Sequence, residues 1–140
     1  MSRPAPSDIR QRITMRCVRD AGAGAMLPVV LGYEARDPYA VSLSFGTMTG
    51  DIVWTFGRDL LREGLGGPVG IGDVRIWPGV DLLGRPCLMV EFRSPDGELL
   101  VETPSEPVRD FLERTFEVVP TGAESQSLDV DAIIDQLLTV

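Results

Sequence analysis

Asp59 and Glu63 stand four positions apart, a spacing that puts two carboxylates on one side of a helical turn. Paired carboxylates can share a proton in acid–base work or contribute to a metal shell. Arg58 and Arg62 interleave with them, and that alternation is the pattern of a solvated, ion-paired helix face. Asp129 and Asp131 flank Val130 and offer two more carboxylates, for which helix capping and complementarity to the helix dipole are sufficient reasons. Gly64 to Gly72 contains five glycines and a proline. Phosphate-cradling loops run from a strand into a helix N-terminus and use a lysine. This segment runs from a helix into a strand and has no lysine, so it reads as a connector. Cys87 has only Arg85 nearby to lower its pKa, and it reads as a small core residue.

The absent residue types restrict chemistry further. The chain has no His, Lys or Asn, and all 13 basic residues are Arg. Without imidazole the usual general base near neutral pH and the commonest metal ligand are missing. Without lysine there is no Schiff-base amine. The sequence therefore predicts a protein without a catalytic site, cofactor or metal. Its formal net charge of −8 disfavours non-specific attraction to phosphate backbones and anionic membranes. Cys17 and Cys87 fall at apolar positions of expected strands and read as buried free thiols in a reducing cytoplasm. No signal peptide is visible, and the longest uncharged run, Ala21 to Tyr33, is too short and too rich in glycine to span a bilayer.

A different chemistry is offered by Arg10, Arg12 and Arg16, which share one face of a strand. Tyr33, Tyr39, Trp54 and Trp77 are available as aromatic partners, and arginine with aromatics is how single-stranded nucleic acid is held. The same stripe can serve as an ordinary solvent face or as a dock for an acidic protein surface. The exposed face of the helix carrying Arg58, Asp59, Arg62 and Glu63 is a second candidate for partner binding.

Period-two alternation positions these residues. Ile13, Met15 and Cys17 oppose the arginine stripe; Leu27, Val29, Leu31 and Tyr33 form a second apolar face; Val41, Leu43 and Phe45 a third; Ile52, Trp54 and Phe56 a fourth. Turn signals at Ala21–Ala25, Asp37–Pro38 and Thr49–Asp51 join them into an antiparallel meander. A helix follows from about Arg58 to Leu65, with Leu60, Leu61 and Leu65 apolar. Strands then restart around Val74 and Ile76, ending at Trp77–Pro78. Cys87–Phe92 and Leu99–Val101 flank a hairpin turn at Ser94–Gly97. A second helix begins near Ser105 with Val108, Phe111, Leu112 and Thr115 on one stripe. Strands then helix, twice, is thus an internal two-fold plan. Val130, Ile133, Ile134, Leu137 and Leu138 predict a last amphipathic helix over about 127–140, and residues up to about 8 read as a flexible start to a single domain.

The ordered succession Gly32-Tyr33, Asp37-Pro38-Tyr39-Ala40-Val41, Val53-Trp54-Thr55-Phe56, Arg58-Asp59-Leu60-Leu61, Glu63-Gly64-Leu65, Trp77-Pro78 and Phe111-Leu112 resembles the SsgA-like family of sporulation and cell-division proteins. The resemblance covers roughly residues 8 to 138 and continues through Val119-Pro120 and Glu124. It implies an α+β fold of two antiparallel β-sheets packed crosswise with helices, like the whirly single-stranded nucleic-acid-binding proteins, assembled as a homotrimer. It further implies a non-enzymatic role in sporulation-specific septation. The expected partners are the tubulin-like protein FtsZ and an SsgA-type paralogue, met at division septa. The fold analogy alone supports the alternative of single-stranded nucleic-acid binding.

Overall fold

In a computed structural model, residues 8–18, 24–47 and 50–127 are described. Four strands come first: β1 (Ile9–Cys17), β2 (Met26–Tyr33), β3 (Ala40–Thr47) and β4 (Gly50–Gly57). Helix α1 (Arg58–Gly64) leads to β5 (Val69–Ile71), β6 (Val74–Val80), β7 (Pro86–Ser94) and β8 (Gly97–Pro104). Helix α2 (Ser105–Val118) and a single turn, α3 (Glu124–Ser127), complete the described chain. The expected two-fold plan is present in the order of elements, and the second half has as many strands as the first. Strand β5 lies inside the glycine-rich stretch read as a connector, and β6 continues three residues past Trp77. The expected helix over 127–140 and most of the turn at Ala21–Ala25 lie outside the described residues.

All eight strands belong to one antiparallel sheet in the order β4-β3-β2-β1-β8-β7-β6-β5, where two separate sheets were expected. The join is the C-terminal end of β1. Arg16 and Cys17 pair with Glu102 and Val101 of β8, and the rest of β1 pairs only with β2. Beyond that short seam the two halves diverge, and the sheet curls until its halves face each other. Phe45 of β3 meets Phe92 of β7 edge-on at 5.7 Å between ring centroids, and Trp54 of β4 lies 4.8 Å from the same ring. Such aromatic pairs contribute about 0.5–1.5 kcal/mol beyond the area they bury.

The alternation read from the sequence is the alternation of burial. Ile13, Met15, Val29, Leu31, Tyr33, Val41, Leu43 and Phe45 are buried, and Arg10, Arg12 and Thr14 point outward. Helix α2 buries Val108, Phe111, Leu112 and Thr115 against β1 and β7, with Pro107 tolerated in its first turn. Strand β4 departs from expectation: it is an edge strand, and Ile52 is 53% exposed although its parity matches Phe56. Helix α1 lies close against the sheet at Gly64, where an added Cβ would sit 2.3 Å from Ile76 Cγ2. Gly64 thus permits close packing, beyond helping to end the helix.

Candidate functional site

Arg58 is the first residue of α1, and its placement corrects the reading of α1 as a four-residue charged outer face. By helical spacing Arg58 shares its side with Leu61 and Leu65, and the helix lays that side on the protein. The side chain is 1% exposed. Its Nη1 donates to the carbonyl oxygens of Thr115 at 3.2 Å and Val119 at 2.8 Å, and its Nη2 donates to Glu124 Oε1 at 2.9 Å. The guanidinium stacks 4.1 Å above the Phe116 ring and 5.1 Å from Tyr33.

Each contact answers a need. The last carbonyls of a helix lack intrahelical donors, and the helix end carries partial negative charge. Helix α2 has no basic residue in its own last turn, so Arg58 supplies the cation from another element. Glu124 Oε2 in turn accepts from the Gly122 amide at 2.8 Å. The Glu124 carboxyl is held below its usual value, first by its own backbone amide and also by Arg58 and Gly122, against the opposing effect of burial. Arg58 therefore ties α1, the C-terminal end of α2 and the first residue of α3 at one point, where direct contact with a partner is closed to it.

The remaining α1 charges face outward as expected. Asp59 and Arg62 pair at 3.3 Å, Arg62 Nη1 reaches Thr121 Oγ1 at 3.3 Å, and Glu63 is exposed. Among the described residues no group of three or more Cys, Asp or Glu is placed to hold a metal ion.

The arginine stripe is divided by its neighbours. Arg16 forks onto Glu102 across the β1–β8 seam at 3.2 and 3.4 Å. Arg10 lies over β2, donating to Tyr33 O and to Glu34 Oε1 at 3.3 Å. Arg12 is exposed beside Thr14, Val30, Ser44 and Asp51, and no ion pair engages it among the described residues. Two of the four aromatics offered for base stacking do not share this face, while Tyr39 is exposed and Trp77 is half-buried on β6. Tyr33 is buried, with its hydroxyl donating to Pro38 O at 3.0 Å, and Trp54 points inward to Phe92. Register explains this, because Arg10 lies opposite Gly32 and Ile9 lies opposite Tyr33. Tyr33 and Trp54 therefore do not alternate with the Arg10, Arg12 and Arg16 stripe as base-stacking rings would.

Cys87 is buried, and burial pushes its thiol pKa up, while Arg85 turns away to Asp81 at 3.3 Å. Glu124 is the residue that the charge-pattern reading left without a role. The signal for its cluster was the position of Arg58 at i, i+3, i+7 with Leu61 and Leu65.

The protein is a small α+β body with charged outer surfaces and its most elaborate polar cluster, Arg58 with Glu124, sealed inside. The family model for "Streptomyces sporulation and cell division protein, SsgA" matches residues 27–124. A sporulation-specific cell division protein SsgB of Kineococcus radiotolerans is 41% identical over 128 residues, 91% of this chain and 78% of that protein. The SsgB of Streptomyces coelicolor is 39% identical over 125 residues, 89% and 90% of the two chains. The crystal structure of an SsgA-like sporulation-specific cell division protein from Thermobifida fusca superposes with a TM-score of 0.83 at 33% identity, covering 97% of this chain and 98% of that one. The chain belongs to the SsgA family of sporulation and cell-division proteins, and its relatives named here include SsgB proteins.

Proposed function

We propose that this protein is a non-enzymatic adaptor of sporulation-specific cell division, which helps bring FtsZ to future septum sites through protein–protein contact. The observation that carries the reading is similarity along nearly the whole chain to proteins named for sporulation-specific division. Two surfaces fit the role. One is the outer sheet face around Arg12, flanked by Arg10 and Arg16; the other is the α1 face of Asp59, Arg62 and Glu63. Both are charged side chains on rigid elements, so little ordering is needed on contact. Several copies in one assembly, three by the family resemblance, raise the effective concentration for a polymerising partner. An SsgA-type paralogue is a second partner, and septa are the place of action.

Co-sedimentation with purified FtsZ polymers tests this. Wild-type protein pellets with the polymer, and Arg12→Glu or Arg62→Glu reduces pelleting while leaving the thermal midpoint unchanged. If wild-type protein stays in the supernatant at every FtsZ concentration, direct recruitment is wrong. If both variants pellet fully, both surfaces are wrong.

A further inference from the structure

The sheet ends in two edge strands, β4 and β5, and they differ in kind. Strand β5 is three residues long and lies beside α1, where the Cβ that Gly64 lacks would come 3.4 Å from Val69 Cγ2. An edge so short and so close to a helix offers little to pair with. Strand β4 is eight residues long and keeps unbroken register with β3, from Gly50 opposite Thr47 to Gly57 opposite Ala40. It contains no Pro, Lys or Arg, and among the described residues nothing pairs with its other side. Ile52 and Val53 stand 53% and 56% exposed on it. A long edge without bulge, proline or basic side chain is a template for another strand.

The ladder with β3 shows which backbone groups of β4 are open. The Arg58 amide donates to Tyr39 O at 2.7 Å, and bonded pairs in an antiparallel ladder recur at every second residue. Ile52, Trp54 and Phe56 therefore direct their N–H and C=O groups to β3, and Asp51, Val53 and Thr55 direct theirs to the open side. These groups belong to a strand already ordered, so a segment that pairs with them orders only itself. Side chains divide by the same count. Asp51, Val53 and Thr55 lie on the outer sheet face, and Asp51 enters no ion pair among the described residues. Ile52 and Trp54 lie on the inner side, where Trp54 meets Phe92.

We propose that the open edge of β4 binds an extended segment of a partner protein, antiparallel to β4, in which three apolar residues are followed by an arginine or lysine. Backbone bonds to Asp51, Val53 and Thr55 supply the attachment, and alternate side chains supply the choice of partner. The apolar residues lie opposite Trp54, Val53 and Ile52, where cross-strand pairing covers the exposed Val53 and Ile52. The basic residue lies opposite Asp51, a free carboxylate on a chain of net charge −8. An antiparallel direction continues the pairing of the whole sheet. The contact is separate from the Arg12 and α1 surfaces and is measured with no division protein present, so it and the adaptor reading can each fail alone.

Fluorescence anisotropy of a labelled, end-capped peptide Thr-Val-Ile-Val-Arg, titrated with the full-length protein, provides the test. Wild-type protein binds it saturably. N-methylation of the third peptide residue, whose amide faces Val53, weakens binding roughly tenfold, as expected for one hydrogen bond lost between ordered strands. N-methylation of the second or fourth residue, whose amides face away, leaves binding unchanged. Val53→Pro removes the matching donor from the protein and also weakens binding roughly tenfold. Its thermal midpoint stays near wild type because the Val53 amide takes no part in the β3 ladder; should it unfold, the methylated peptides on wild-type protein decide the matter. Asp51→Arg reverses the preference, so that a peptide ending in Glu binds about two- to fivefold better than the one ending in Arg. No saturable binding, equal effects of methylation at the second and third residues, or a folded Val53→Pro that binds like wild type would each overturn the proposal. Sedimentation that shows self-association lost in Val53→Pro, with no peptide bound by wild type, would assign the edge to a second copy and overturn it equally.

Discussion

Replacing Arg58 by methionine keeps much of the apolar stem and removes the guanidinium. The Val119 carbonyl then loses its donor, the Thr115 carbonyl keeps only the Val119 amide at 2.9 Å, and Glu124 loses its cation in a region closed to water. Removing one partner from a buried ion pair costs about 3–5 kcal/mol, and the one carbonyl left without a donor is consistent with that range. A domain of this size holds about 5–15 kcal/mol in total, so the loss is a large share of its stability. For a chain of 140 residues the midpoint of thermal unfolding falls by roughly 10–20 °C. Arg62→Met is the control on the same helix: its side chain is 43% exposed, and the change stays within about 0.5 kcal/mol. Circular dichroism melts of the two variants and of Arg58→Lys provide the measurement. Lysine keeps the charge but lacks the planar fork that reaches the two carbonyls from one nitrogen and the carboxylate from the other, so its midpoint falls between wild type and Arg58→Met. Equal, small shifts for Arg58→Met and Arg62→Met would refute the claim that the buried cation closes the fold.

Gly64→Ala lowers stability by about 1–3 kcal/mol in urea unfolding, because its methyl would collide with Ile76. Gly67→Ala, with nothing within 4 Å of the added carbon, leaves stability unchanged. Glu124, whose folded-state pKa is depressed below 4.5, contributes stability that is present above that value and lost as pH falls through the folded-state pKa. Acid titration of wild type against Glu124→Gln therefore shows a shallower decline in the variant. The Cys87 thiol, raised by burial, reacts with a disulfide reagent far more slowly in the native protein than in urea, as absorbance at the released thiolate reports. Fluorescence titration with single-stranded oligonucleotides at low salt shows no saturable binding, since Tyr33 and Trp54 lie on the sheet face opposite Arg12.

The strands and helices of this fold are legible wherever one face of an element is wet. Val41, Leu43 and Phe45 separated by serines, and Val108, Phe111, Leu112 and Thr115 at helical spacing, announce both the element and its inner side. Legibility stops where burial does not follow period. Strand β5 is three residues long, too short to alternate, and β4 is an edge on which Ile52 and Val53 are both exposed. That one sheet replaces two depends on a pairing between residues as distant as Arg16 and Glu102, which no local pattern encodes. The candidate surfaces divided the same way. Asp59, Arg62 and Glu63 are outside as read from their charge, while Arg58 is inside because its position on the helix outweighs its charge once acceptors from three later residues meet it.

Those acceptors lie 57, 61 and 66 positions after Arg58, and this orders events during synthesis. When the ribosome has made α1, the side that will close on Arg58 has not been translated. At about 5–20 residues per second the wait for Glu124 is roughly 3–13 s, during which the meander exposes a charged, unfinished seam. The nascent protein therefore completes its interior only when nearly all of the described chain has emerged.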